Sequence, residues 1–194
     1  DRVDIALAVE ADGIHLGHQH IIRRVVEEAR REKCPAIVIS FDPHPKMVLH
    51  PERRPFYLIT SLEEKIRLLA GLDIDTFILI PFSLEYARTT AEEFVRGVLA
   101  ERLHIRKIII GHDYTFGRGK EGNEAFLTAF GKRLGFEVEV MNAIRVGETT
   151  VSSTRIREAL LAGEVRLAAS LLGRPYNLGG RVVPGNRRGV RLGR

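Results

Sequence analysis

Short runs dense in Val and Ile alternate along this chain with longer stretches in which apolar residues return every three to four positions. The runs at residues 3–9, 36–41, 76–80, 107–110 and 137–141, each short, apolar and rich in Val or Ile, predict five strands. Between the first two, Leu16, Ile21, Ile22, Val25, Val26 and Ala29 fall on one helical stripe. Two further helices open with Ser61-Leu62-Glu63-Glu64 and Thr90-Ala91-Glu92-Glu93, each matching a capping box in which hydroxyl and glutamate satisfy free N–H groups reciprocally. A fourth helix is predicted at about 124–134, and two more follow Val151. Strands alternating with helices imply an α/β fold with a parallel sheet covered on both sides, and in such sheets ligands bind beyond the carboxyl ends of the strands.

Three candidate motifs stand at those ends. Asp12-Gly13-Ile14-His15-Leu16-Gly17-His18 follows the first strand and carries two histidines into the first helical turn. There the unpaired N–H groups and the helix dipole favour an anion, and Gly17 permits close approach to the backbone. Metal ligation would need further ligands that a chain with one cysteine and no His-Glu-x-x-His pattern does not offer. Plain capping and core histidines are the other alternative. Phe41-Asp42-Pro43-His44-Pro45 follows the second strand, with prolines stiffening the loop around His44, which otherwise reads as a surface histidine on a rigid turn. Gly111-His112-Asp113-Tyr114-Thr115-Phe116-Gly117 follows the fourth. The basic, glycine-rich stretch from Gly117 to Gly122 either closes over a phosphate or stays a solvated loop.

A fourth motif, Val151-Ser152-Ser153-Thr154-Arg155-Ile156-Arg157, opens a helix with three hydroxyls. Capping needs one of them; the others can donate to phosphate oxygens while an arginine grips the same anion as a fork. Arg155 and Arg157 lie roughly 200° apart on an ideal helix, so only one faces the site.

Composition narrows the picture. The 194 residues, 44% hydrophobic and 28% charged, suit one soluble globular domain with a short appendage. No apolar run approaches the roughly 18 residues of a membrane span. Nothing at the start reads as a leader, and the lone Cys34, at a helix end with no internal partner, fits a reducing cytoplasm. The net charge of +5 is concentrated in the tail, where residues 174–194 hold six arginines and no acid. The body is thus near neutral, which argues against a nucleic-acid footprint and for local anion binding; the tail also lacks interleaved aromatics for base stacking.

In this order, the motifs at Asp12–His18, Phe41–Pro45, Gly111–Gly117 and Ser152–Arg157 resemble the bacterial FAD synthetases, bifunctional riboflavin kinase and FMN adenylyltransferase enzymes. The resemblance runs to about Gly173. It implies a Rossmann-like doubly wound, five-stranded parallel sheet of the His-x-Gly-His nucleotidyltransferase type over residues 1–173. After it, Gly180-Arg181-Val182-Val183-Pro184-Gly185 and Gly189-Val190-Arg191-Leu192-Gly193 resemble the opening of the family's kinase β-barrel. Residues 174–194 are therefore expected to be a linker and the start of an incomplete barrel. The barrel's Pro-Thr-Ala-Asn stretch does not occur, so riboflavin phosphorylation is not expected of this polypeptide.

By the same resemblance the ligands are ATP, magnesium and FMN, with FAD as product. His15, His18 and Arg157 are implied as catalytic, and Asp12, Gly13, Gly17, Ser152, Ser153 and Thr154 as phosphate-binding. Phe41, Asp42, His44, Asp113 and Phe116 are implied around the flavin or the nucleotide, and magnesium is expected to ride on the triphosphate without a protein-built metal site. One departure is that Val9-Glu10-Ala11 stands where family members carry Gly-x-Phe, which predicts weaker ATP binding. The alternatives are an adenylyltransferase acting on phosphopantetheine or nicotinamide mononucleotide, and a nucleotide-binding module without turnover.

Overall fold

The structure is a computed structural model describing residues 4–8, 13–53 and 56–180. Strands β1 (Asp4–Ala8), β2 (Ala36–Asp42), β3 (Thr76–Pro81), β4 (Ile105–Gly111) and β5 (Glu137–Met141) form one all-parallel sheet in the order β3-β2-β1-β4-β5. All five predicted strands are present, with β4 starting two residues earlier than its apolar run. Asp12 and the Val9-Glu10-Ala11 departure lie outside the described residues, as does the barrel-like segment from Arg181 onward.

Alternation along each strand feeds two cores. Ile37, Ile39 and Phe41 of β2 face one side with Ala6, Ile108 and Ile110. Against them pack α4 (Ala91–Glu93), its continuation as a π-helix over Phe94–Ala100, and α5 (Glu124–Leu134). Ile5, Leu7, Val38 and Ile109 face the other side, under α1 (Leu16–Glu32) and α3 (Leu62–Ala70). Burial on both faces explains why these strands read as continuous apolar runs. A third cluster joins Ile59 to α6 (Ser153–Leu161) and α7 (Val165–Leu172), which cover the sheet's carboxyl edge and extend to Tyr176 beyond α7.

The helix starts follow their local chemistry. Thr90 and Glu93 complete the reciprocal capping box, whereas Ser61 supplies only its half, accepting from Glu64 N at 3.2 Å. Glu64 turns instead towards Arg174, 3.4 Å away, whose guanidinium also donates to Ile14 O at 3.1 Å. The tertiary contact outcompetes the local one. Cys34 follows the end of α1, its N–H bonded to Ala29 O at 3.0 Å.

Candidate active site

Between β1 and β4 the strand order reverses, and the crevice above that point is where a doubly wound sheet accepts ligands. A cavity of about 260 Å³ opens there, over Leu7 of β1, Gly111 of β4 and Met141 of β5. Its walls are His15, Gly17 and His18 on one side and Ser152, Ser153, Thr154 and Arg157 on the other. Residues some 140 positions apart in the chain thus share one pocket.

His15 is the N-cap of α1, and its Nδ1 accepts the His18 N–H at 3.4 Å. The His18 ring stacks on it at 3.8 Å, and its Nδ1 meets Gly13 O at 2.9 Å. A carbonyl only accepts, so His18 Nδ1 carries the proton. Burial and the neighbouring His18 lower the His15 pKa to about 2. Burial also lowers that of His18, to about 4, against the opposing bond to Gly13. Both rings are therefore neutral near pH 7, with opposite tautomers: His15 has its N–H at Nε2, and His18 has a bare Nε2. Two glycines make the turn possible. A Cβ on Gly13 would stand 2.7 Å from Ile59 Cβ, and one on Gly17 would crowd the His15 ring at 3.1 Å.

At the opposite wall Ser152 caps α6, accepting from Arg155 N at 3.2 Å. Capping occupies that one hydroxyl and leaves Ser153 and Thr154 on the pocket lining. Arg157, one turn beyond Ser153, faces inward with its guanidinium 5.1 Å above the Phe56 ring, and partial burial pulls its pKa down. Arg155 points away towards Glu158, 3.4 Å distant. The helical geometry thus separates the two arginines as their spacing predicts.

The loop after β2 departs from expectation. His44 is not a surface residue; it is buried, it caps the short helix α2 (Pro45–Leu49) by accepting Lys46 N–H at 3.1 Å, and it lines the cavity. Asp42 is exposed and lines neither this cavity nor its neighbour. Phe41 and Phe116 belong to that neighbour, an aromatic cleft of about 440 Å³ on the α4 side of the sheet, formed with Pro45, Leu49, Phe82 and Tyr86. Of the residues grouped by the sequence around flavin or nucleotide, His44 and Asp113 sit at the polar cavity and Phe41 and Phe116 at the apolar one. Asp113 is exposed on the rim.

The glycine-rich loop also belongs to the apolar cleft, where Gly117, Gly119 and Lys120 form part of the wall. It is tied down rather than a free loop. Arg118 N bonds Thr89 O at 2.9 Å, Glu121 Oε1 accepts Ala91 N–H at 2.9 Å, and a Cβ on Gly117 would meet Ala91 N at 2.6 Å. The sequence reading missed Lys46, which lines the polar cavity, and Phe82 and Tyr86, which line the aromatic cleft. The available signals were a lysine within two residues of His44 and two aromatics just past β3; an edge strand drew no attention as a ligand wall.

Among the described residues no cluster of three or more His, Cys, Asp or Glu could hold a metal ion. Among the described residues Asp113 is the one carboxylate on the polar lining.

A doubly wound domain with neutral paired histidines, a hydroxyl-rich helix start and an inward arginine gathers donors of the kind that a phosphate group accepts from. The chain belongs to the FAD synthetase family, whose sequence profile matches residues 9–155. It is 34% identical over 182 residues to the bifunctional riboflavin kinase/FMN adenylyltransferase of Escherichia coli K12, covering 94% of this chain and 58% of that protein. With the enzyme of the same description from Haemophilus influenzae the identity is 36%, covering 94% and 59%. The chain therefore spans somewhat over half the length of the curated relatives it matches. A solved structure described as a macrolide-efflux protein from Streptococcus pneumoniae superposes with a TM-score of 0.78 at 30% identity, covering 91% of this chain and 66% of that one. Among the described residues no helix is long and apolar enough to cross a membrane.

Proposed function

We propose that this chain transfers the adenylyl group of ATP to flavin mononucleotide, releasing pyrophosphate and forming FAD. The observation that carries the reading is the pair of adjoining cavities, one lined with phosphate-binding groups and one with aromatic rings, with α2 contributing to both. The first suits a triphosphate and the second a planar apolar ring system.

In this reaction an oxygen of the flavin phosphate attacks the α-phosphorus of ATP, the bond to the bridging oxygen breaks, and pyrophosphate leaves with that electron pair. No side-chain nucleophile is needed; positioning and charge stabilisation suffice. His15 Nε2–H is a ready donor to a phosphate oxygen. His18 has its proton on Nδ1, so it donates through Nε2 only on taking up a second proton, which a neighbouring polyanion favours. Ser153 and Thr154 offer hydroxyls, and Arg157 a fork, to the departing pyrophosphate. Magnesium would arrive with the triphosphate and offset part of its negative charge. The partners are small nucleotides and flavins rather than membrane or nucleic acid, and the setting is the cytoplasm. Residues 1–173 form the transferase domain, with 174–194 as a linker and the start of an incomplete kinase barrel.

Incubation with ATP, magnesium and FMN, followed by chromatography of FAD and pyrophosphate, tests the reading. Phosphopantetheine, nicotinamide mononucleotide and riboflavin serve as rival acceptors. FAD formed from FMN alone supports it; product only from another acceptor, or from none, refutes it.

A further inference from the structure

Among the described residues the polar cavity has two cationic side chains on its lining, and they stand on different elements. Arg157 projects from α6 beside Ser153 and Thr154; Lys46 projects from α2, two residues after His44. Among the described residues the Lys46 ammonium has no carboxylate within ion-pair distance, while its backbone N–H is bonded to His44 Nδ1 at 3.1 Å and its carbonyl accepts the His50 N–H at 3.1 Å. Its helix also builds the neighbouring cleft, since Pro45 and Leu49 line the aromatic cavity while His44 and Lys46 line the polar one. Lys46 thus stands on the helix that both cavities share.

Adenylyl transfer brings two anions together, a triphosphate and an acceptor phosphomonoester, which repel one another as they approach. The histidines are neutral, so at the outset they offset none of this repulsion. Arg157, with the hydroxyls at its side, serves the triphosphate tail. Lys120 lines the aromatic cleft itself, whereas Lys46 lines the cavity that holds the histidines, so Lys46 is the cation placed to meet an acceptor phosphate beside the triphosphate. We propose that Lys46 receives the phosphomonoester of the flavin acceptor and sets the preference for a phosphorylated over an unphosphorylated ring. This rests on the transferase reading and assigns its acceptor-phosphate site.

Binding of FMN and of riboflavin, which lacks the phosphate, is to be measured by flavin fluorescence on the 194-residue chain and on its Lys46→Met and Lys46→Arg variants. Steady-state KM values for FMN and ATP accompany it. In the parent chain FMN should bind about tenfold more tightly than riboflavin, a margin expected of one charge-assisted contact. Lys46→Met should erase that margin and raise KM for FMN, leave riboflavin binding unchanged, and move KM for ATP by no more than about threefold. Lys46→Arg should restore most of the margin. Equal weakening of FMN and riboflavin would overturn the assignment by making Lys46 a wall of the cleft. A rise confined to KM for ATP would overturn it by giving Lys46 to the triphosphate. Lys46-dependent FMN binding without FAD formation would instead leave the site standing and refute the transferase.

Discussion

The imidazoles of His15 and His18 stack with centroids 3.8 Å apart and planes inclined by 20°, a contact that two protonated rings would not tolerate. Burial keeps both neutral, and their opposite tautomers, set by His18 N–H and Gly13 O, give one ring a donor and the other a bare nitrogen towards the pocket.

Asparagine separates the structural from the chemical work of this pair. His15→Asn retains an N-cap acceptor and His18→Asn retains a donor for Gly13 O, while each removes Nε2. Each variant should fold with near-parental stability and lose roughly 10²- to 10³-fold in kcat for FAD formation, the scale of losing one oxyanion donor. Kinetics with a parallel thermal melt decides, and an unchanged kcat would remove the ring from the chemistry.

The same burial makes stability depend on pH. Unfolded histidines titrate near 6.5, and the folded ones near 4 and 2, so below pH 6.5 the unfolded chain binds more protons than the folded one. Stability conferred by neutral burial is whole above pH 6.5 and is lost as pH falls towards 4, by up to about 1.4 kcal/mol per pH unit for each histidine. Thermal midpoints at pH 7 and pH 5 should diverge more for the parent than for the His15→Asn, His18→Asn double variant. Parallel losses would show that the rings are protonated in the folded state.

Gly13 is packed face to face with Ile59, which is almost wholly buried. Gly13→Ala should cost about 1–3 kcal/mol through overpacking and should displace the carbonyl that orients His18. Adding Ile59→Ala should recover part of the loss as a positive coupling in urea unfolding. Simple additivity of the two changes would rule out the contact.

Towards the other end of α1 Glu28 is buried among Lys107, 3.1 Å away, Arg24, 3.0 Å away, and Arg31. Burial alone would push its carboxyl up, and these cations overcome that, holding it below the usual range. Glu28→Gln removes the buried charge these cations share, although Glu139 still holds Lys107 at 2.8 Å and Arg24 at 2.7 Å, and should cost roughly 2 kcal/mol in denaturant unfolding. Glu63→Gln, which breaks an exposed pair with Arg67 at 3.9 Å, should cost no more than about 0.5 kcal/mol. Similar costs for the two would remove the special standing of the buried network.

Local chemistry along the chain determined the elements and much of one wall of the site. The Val and Ile runs became the five strands because both faces of the sheet are covered, the spacing of Arg155 and Arg157 turned one outward, and Ser152 took the cap that frees Ser153 and Thr154. These outcomes depend on periodicity and on hydrogen bonds within about four residues, which a linear pattern records. What only the tertiary structure decided is which of these groups meet. Packing of α6 across the sheet edge brings Arg157 opposite His15, the walls of β2 and β3 gather Phe41, Phe82 and Tyr86 into a cleft, and Asp42 is left outside while Lys46 is brought in. A cavity is the space between elements distant in sequence, so its lining is set by long-range packing that no local pattern encodes.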